Sequence, residues 1–216
     1  MTADPRSTSA GPATDFDARA ATWDDDPSKV ERARAVAETI AREVPLSPSM
    51  RALEYGAGTG LLSFLLREQL GEITLADLSD GMLDVARGKI AAAGDPRMRA
   101  VRLDLSAGDA VPGEFDILYS LMTLHHIPDT NGILRRFHDV LAQRGILCVA
   151  DLDTEDGSFH GDGFDGHKGF DRATLRAKAT AAGFVDVRFT TAYEMHKEVG
   201  GRMHRFPIFL MVAVKA

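Results

Sequence analysis

The chain has 216 residues, 44% of them hydrophobic and 26% charged, which is the composition of an ordinary globular domain. Its net charge of −7 argues against a large basic surface of the kind that binds nucleic acid. We expect a cytoplasmic protein without a membrane partner, because no apolar run approaches the roughly 18 residues of a membrane span and the N-terminus lacks the apolar core of a signal peptide.

The N-terminal part of the chain predicts a tail followed by helical segments. Residues 1–14 are rich in Ala, Ser, Thr, Pro and Gly and predict a disordered tail, with one domain from 15 to 216. Residues 16–23 form a short amphipathic segment that carries Phe16 and Trp23. A helix is predicted from Pro27 or Ser28 to about Glu43, with Arg32 on its solvated face.

From residue 51 the chain alternates strands and helices, which is the pattern of a parallel sheet. Strands are predicted at about 52–55, 73–77, 99–103, 115–120 and 145–151, and helices at about 59–70, 81–93, 131–142 and 171–182. The segments 184–190 and 207–214 follow as an antiparallel pair. The residues expected in the connection between them are Tyr193, Met195, His196, Met203 and His204. The predicted fold class is therefore α/β, a three-layer sandwich around a seven-stranded, mostly parallel sheet with a C-terminal antiparallel hairpin.

The first strand runs directly into the loop Gly56-Ala57-Gly58-Thr59-Gly60, and a helix follows. Glycine permits positive φ and close approach of a ligand, and the following helix directs its free N–H groups toward the loop. A dinucleotide fingerprint has different glycine spacing and ends on a small residue, whereas Leu61 follows here. The Gly-Lys-Ser/Thr ending of a P-loop is also absent from this loop. The loop therefore favours a ligand of another kind, and a plain tight turn is the alternative.

With Glu54 the stretch reads Glu-x-Gly-x-Gly-x-Gly, which resembles the first motif of the class I S-adenosyl-L-methionine (SAM)-dependent methyltransferases. The resemblance covers residues from about 16 to 216 and is specific for the cofactor half. It implies a Rossmann-like fold, SAM as cofactor and S-adenosyl-L-homocysteine as product. It also implies methyl transfer to an O, N, S or C nucleophile of a small molecule.

In an open α/β sheet, ligands bind beyond the carboxyl ends of the strands. Asp77 ends the second strand, where a carboxylate can accept both ribose hydroxyls, and Leu78 can pack on the adenine. The resemblance implies that Asp104 binds the adenine amino group beside the Leu105 N–H, and that Ser120 lies at the methionine ammonium group. The predicted cofactor-binding residues are Glu54, Gly56, Ala57, Gly58, Gly60, Asp77, Leu78, Met82, Asp104, Leu105 and Ser120.

A histidine pair, His125-His126, follows the fourth strand and is followed by Ile127. This stretch resembles that of the ubiquinone/menaquinone-biosynthesis type of small-molecule methyltransferase. Because histidine titrates near neutral pH, His125 and His126 are the predicted catalytic bases. A packed structural histidine is the alternative for either.

The glycine-rich segment 153–170 follows the fifth strand and is long enough to be a lid. We predict that its Phe159, His160 and His167 bind the substrate, together with Trp23, while a surface loop without a role is the alternative. The spacing of His160 and His167 matches no common zinc signature and no cysteine accompanies them, so no metal is predicted.

Two other functions stay open at this point. One is a nicotinamide-dinucleotide oxidoreductase on a similar sheet, and the other is a SAM-binding protein without turnover. A small-molecule methyl acceptor and a monomer or homodimer are expected, but the sequence identifies neither the acceptor nor the accepting atom.

Overall fold

The computed structural model describes residues 12–111, 113–161 and 163–216. Most of the predicted tail at 1–14 therefore lies outside the described residues, and the described chain begins in helix α1 (Pro12–Arg19). A 3-10 helix (Ala20–Asp25) and helix α2 (Pro27–Glu43) follow. The predicted start of α2 is confirmed, because the Asp26 carboxylate accepts the Ser28 N–H as an N-cap and Pro27 occupies the first turn.

Seven strands form one sheet in the order β3-β2-β1-β4-β5-β7-β6, which confirms the predicted architecture. Strands β1 to β5 are mutually parallel, whereas β7 is antiparallel to both β5 and β6. The strands are β1 (Ala52–Tyr55), β2 (Ile73–Asp77), β3 (Met98–Arg102), β4 (Phe115–Leu121), β5 (Leu141–Leu152), β6 (Phe184–Val199) and β7 (Arg202–Lys215). The remaining helices are α3 (Leu61–Leu66), α4 (Asp80–Ala93), α5 (Thr130–Val140) and α6 (Arg172–Ala181), with 3-10 turns at Arg67–Gln69 and Leu124–His126.

The sheet is buried on both faces, which is why its central strands read as nearly continuous apolar runs. One core packs α2, α3 and α4 on the sheet and includes Val36, Leu62 and Ala86. The other core packs α5 and α6 on the opposite face and includes Phe137 and Leu175. Among the described residues, no helix has both the length and the apolar character that crossing a membrane requires.

The C-terminal hairpin is longer than predicted, because β6 and β7 continue to a turn at Gly200 and Gly201, both at positive φ. Five residues placed by the sequence in a connection lie within the strands instead: Tyr193, Met195, His196, Met203 and His204. The prediction failed because the outer part of the hairpin is largely polar, so no apolar run marked the strands there.

The parallel strands bring their carboxyl ends to one edge of the sheet. Glu54 in β1 lies in register with Leu75 in β2 and with Tyr119 in β4. The loops that follow these strands, and the loop that follows β5, therefore gather at this edge.

Candidate functional site

The glycine loop after β1 is closed on one side and open on another. Gly56, Gly58 and Gly60 have φ of 71°, 54° and 81°. A Cβ atom at Gly60 would lie 2.4 Å from the Cδ2 atom of the buried Leu75, so a side chain there would force that leucine to shift. A Cβ atom at Gly58 would meet nothing nearer than the Met82 Sδ atom at 3.9 Å. A ligand can therefore approach the backbone at Gly58.

The end of β4 packs against the same loop. A Cβ atom at Gly56 would lie 2.3 Å from both the methyl carbon and the hydroxyl oxygen of Thr123, a residue that the sequence did not single out. Met122 before it has a φ of 56°, a left-handed conformation that costs roughly 1–2 kcal/mol in a non-glycine residue. The predicted cofactor residue Ser120 is buried, and its hydroxyl has no hydrogen-bond partner within the described chain. This strand end thus combines strain with an unsatisfied polar group.

Asp77 joins the two loops that face each other across β1 and β2. Its Oδ2 accepts the Gly58 N–H at 2.7 Å, and its Oδ1 accepts the N–H groups of Leu78 and Ser79 at 2.7 and 2.9 Å. Since a carboxylate oxygen can accept two hydrogen bonds, Oδ2 retains one acceptor position beside the open face of Gly58. Asp77 therefore fits a ligand hydroxyl.

Asp104 lies at the end of β3, as predicted. Its Oδ1 accepts the N–H and hydroxyl of Ser106 and the N–H of Ala107. Partial burial opposes ionisation, but these hydrogen bonds outweigh it and hold the pKa of Asp104 below its usual value. Within the described residues nothing donates to Oδ2, so that oxygen can accept a ligand N–H. The side chain of Leu105 is fully buried, and only its backbone is placed to meet a ligand.

Glu54, predicted to bind the cofactor, lies in the interior instead of on the open side of the loop. Its Oε2 accepts the Ser63 N–H and hydroxyl at 3.1 and 2.5 Å, and the Ser63 hydroxyl lies 2.7 Å from the Tyr119 hydroxyl. Burial raises the pKa of Glu54 to about 8, although the hydrogen bonds from Ser63 oppose the rise. Glu54 therefore holds helix α3 against β1.

Two aspartates of the N-terminal segment, which the sequence did not single out, form hydrogen bonds with the loops after β1 and β2. Asp17 accepts the Ser79 hydroxyl at 2.5 Å, on the loop after β2. Asp24 accepts the Thr59 hydroxyl at 2.5 Å, within the glycine loop, and pairs with Lys89 at 2.8 Å. Ser79 lies 62 positions from Asp17, and Thr59 lies 35 positions from Asp24. No local sequence pattern could therefore have revealed these two contacts.

Phe16 links the same segment to the histidine pair. Its ring centroid lies 5.7 Å from that of Trp23 and 5.5 Å from that of His126. Trp23, predicted to bind substrate, has the Lys29 Nζ over its ring at 4.1 Å and the guanidinium of Arg19 at 5.1 Å. The structure thus brings Phe16 to the histidines and surrounds Trp23 with cations.

His125 is held by a buried carboxylate at the end of β5. It is 1% exposed, and its Nδ1 lies 2.7 Å from the Oδ1 of Asp151, which is fully buried. The backbone N–H of His125 also donates a hydrogen bond to Asp151 Oδ2 at 3.2 Å. The other ring nitrogen, Nε2, is buried and has no partner in the described part of the chain. The orientation of the ring is therefore fixed while one nitrogen remains unsatisfied.

Two further imidazole rings, those of His126 and His160, pack close to the ring of His125. Ring centroids of His126 and His160 lie 4.1 and 5.0 Å from that of His125, and the ring of His160 stacks on Phe164 at 3.8 Å. Burial, with repulsion from neighbouring histidines, lowers the pKa of both His126 and His160 to about 4. Both rings are therefore neutral near pH 7, and His126 is a weak proton acceptor there. One ring nitrogen from each of the three lies within 4.8 Å of the others, an arrangement that could hold a metal ion.

The loop after β5 is anchored on the same histidines. The backbone N–H of His167 donates to the backbone carbonyl of His125 at 2.8 Å. The ring Nε2 of His167 lies 3.0 Å from the Ile127 carbonyl oxygen and 3.2 Å from the Thr130 hydroxyl. These contacts engage His167 in holding the loop. Phe159, which the sequence also predicted to bind substrate, packs against His160, with ring centroids 4.8 Å apart.

Arg32 of α2 is half-buried with its Nε enclosed, which corrects the prediction of a solvated position. Its Nε is buried without a hydrogen-bond partner in the described chain. Burial lowers the pKa of Arg32, and the charges of Asp26, Tyr193 and Asp151 oppose that effect. The prediction for Arg32 failed because α2 packs against its neighbours over a wider face than its apolar residues indicate.

Residues 53–147 match a family model described as a methyltransferase domain. An uncharacterised methyltransferase of Schizosaccharomyces pombe is 33% identical over 52% of this chain and 42% of its own. A ubiquinone biosynthesis O-methyltransferase of Xanthomonas campestris is 32% identical over 56% of this chain and 50% of its own. The chain thus spans half or less of these curated relatives. A phosphoethanolamine N-methyltransferase of Haemonchus contortus, solved with S-adenosyl-L-methionine, superposes with a TM-score of 0.68 at 18% identity, over 83% of this chain and 52% of its own.

Proposed function

We propose that the chain is a SAM-dependent methyltransferase that transfers a methyl group to a small-molecule acceptor, because residues 53–147 match a methyltransferase domain and two methyltransferases are similar to it in sequence. The matched residues, 53–147, include the glycine loop, Asp77, Asp104 and the histidine pair. The observation that carries the proposal is that Asp77 Oδ2, which keeps one acceptor position, and Asp104 Oδ2, which accepts no hydrogen bond within the described residues, lie at the same sheet edge as the open face of Gly58.

These residues fit the cofactor as follows. Asp77 Oδ2 would accept a ribose hydroxyl, Asp104 Oδ2 would accept the adenine amino group, and Gly58 leaves room for the ligand against its backbone. Ser120, with its unsatisfied hydroxyl, stands at the end of β4 where the resemblance expects the methionine moiety. When bound, the cofactor supplies an electrophilic methyl group on a sulfonium centre. The protein supplies orientation of the two reactants.

The acceptor side is enclosed by aromatic rings from two segments, which supports a small acceptor. Phe16 covers His126 from the N-terminal segment, and Phe164 packs on His126 and His160 from the loop after β5. Neutral imidazoles present nitrogen lone pairs that can accept a hydrogen bond from a hydroxyl or thiol. We therefore place a proton-bearing nucleophile beside these rings. The general-base role of His125 stays a prediction.

The test begins with calorimetric titration of SAM. Replacing Asp77 with Ala should weaken SAM binding by on the order of 1–3 kcal/mol, because hydrogen bonds to a charged group are lost. Asp84→Ala is the matched control, since Asp84 is an exposed carboxylate on α4 that pairs with Arg87. Equal SAM affinity in wild type and Asp77→Ala would contradict the placement of the ribose.

Turnover is measured separately, as S-adenosyl-L-homocysteine formed with a panel of small hydroxyl and thiol compounds. Binding of SAM with no product from any acceptor would favour the SAM-binding protein without turnover. Tighter binding of NAD than of SAM in the same titration would favour the oxidoreductase instead.

A further inference from the structure

The three imidazoles of His125, His126 and His160 form a group whose composition the sequence did not reveal. The prediction that no metal binds was based on the spacing of His160 and His167. In the structure His167 instead anchors the loop after β5. We propose that His125, His126 and His160 form a binding site for a divalent transition metal of the zinc type. This inference departs from the prediction made from the sequence.

The first support is the distance between the ring nitrogens. One nitrogen from each histidine lies within 4.8 Å of the other two. Zinc binds imidazole nitrogen at about 2.0–2.1 Å, which places tetrahedral ligand atoms about 3.4 Å apart. The rings therefore need to close by up to about 1.4 Å, and we assign that shift to His160 because it lies in the loop after β5, outside the helices and strands.

The second support is the way in which His125 is held. Its Nδ1 lies 2.7 Å from Asp151 Oδ1, while Nε2 is buried and lacks a partner within the described residues. A metal-bound histidine commonly donates its other ring N–H to a carboxylate, which fixes its tautomer and orientation. Buried polar atoms without partners are rare, and a metal ion at Nε2 would satisfy this one.

The ligand atoms also decide which metals fit. Three imidazole nitrogens suit zinc and similar transition metals, whereas magnesium and calcium prefer oxygen ligands. Three protein ligands leave a fourth position of the kind that catalytic zinc sites keep for water or substrate. The hydroxyl or thiol of an acceptor could occupy it. That use of the metal rests on the proposed function, whereas metal binding itself does not.

The experiment titrates Zn²⁺ into the chelator-treated full chain by calorimetry, and Co²⁺ absorption reports the coordination geometry. Wild type should bind one Zn²⁺ with tetrahedral-type Co²⁺ bands, and Mg²⁺ should not compete. His160→Gln, which alters a loop residue outside the sheet and helices, should weaken Zn²⁺ binding by roughly ten- to a hundredfold or more. His196→Gln removes an exposed histidine of the β6–β7 hairpin and should bind as wild type does.

Asp151→Asn supplies a second test, with an expected loss of roughly ten- to a hundredfold in Zn²⁺ affinity. The proposal is overturned if wild type binds no Zn²⁺, or if His160→Gln and wild type bind it equally. SAM affinity is measured on the same samples. Zinc binding without SAM binding would overturn only the proposed function, and SAM binding without zinc binding would overturn only the metal site.

Discussion

Replacing Glu54 with Gln tests how the glycine loop is supported from the interior. Glu54 is 2% exposed, and one of its oxygens accepts two hydrogen bonds from Ser63. Glutamine is nearly isosteric and its amide oxygen can accept the same two bonds. The substitution therefore removes the ionisable group while it keeps the contacts.

The pKa of Glu54 gives the size of the expected effect. Burial raises this pKa to about 8, against an ordinary value of 4.5. Between these pH values the folded chain holds a proton that the unfolded chain has released, so the free energy of unfolding falls as pH rises. The slope is about 1.4 kcal/mol per pH unit and the whole window amounts to about 5 kcal/mol as an upper figure. The contribution is fully present below pH 4.5 and is lost as pH rises through about 8.

The assay is urea unfolding of wild type and Glu54→Gln at about pH 5.5 and 7.5, where the difference between the two proteins should change by about 3 kcal/mol in favour of the variant at the higher pH. Using the difference cancels the other titrating groups. Parallel stability curves would refute the reasoning, because they would mean that Glu54 is ionised in the folded chain. SAM affinity should stay at the wild-type level, since the side chain does not face the open side of the loop.

The second and third glycines of the loop, Gly58 and Gly60, should separate stability from binding. Gly60→Ala should lower the melting temperature, since positive φ alone costs about 1–2 kcal/mol and the new methyl group would collide with a core leucine. Gly58→Ala carries the φ cost without that collision, so a folded protein with weaker SAM binding is expected by calorimetry. Asp24→Ala removes the contacts with Thr59 and Lys89 and should speed SAM dissociation in stopped-flow measurements, while stability changes by less than about 1 kcal/mol. An unchanged dissociation rate would show that the N-terminal segment does not retain the cofactor.

The sheet, and the position of half of the proposed cofactor residues at its edge, followed from local pattern. Apolar runs marked β1 to β4, and parallel pairing brings the ends of such strands to one edge. Asp77 and Gly58 are 19 positions apart, yet the prediction of strands followed by loops put both at that edge. In the structure the Gly58 N–H donates to Asp77 Oδ2 at 2.7 Å. Asp151 carries the same signal, an acidic residue at the end of a predicted strand, so its place at this edge was predictable in the same way.

The remaining site residues could not be predicted because their partners are distant in sequence. The contact between Gly56 and Thr123 spans 67 positions, and that between Asp17 and Ser79 spans 62. Such pairs depend on how whole loops pack, and a single sequence gives no local periodicity that reports it. For the same reason the spacing of the histidines suggested His160 with His167, whereas packing grouped His160 with His125.

The N-terminal segment 16–25 contacts both halves of the site, and this has a consequence for the order of binding. Asp17 and Asp24 contact the two loops of the proposed cofactor site, while Phe16 packs on His126 at the proposed acceptor side. A movement of the segment that uncovers the cofactor loops therefore also uncovers His126. If a bound cofactor stabilises the closed segment, it also completes the wall of the acceptor pocket. Cofactor and acceptor affinities are then coupled through one element, and thermodynamic reciprocity requires that each ligand strengthen the other by the same factor.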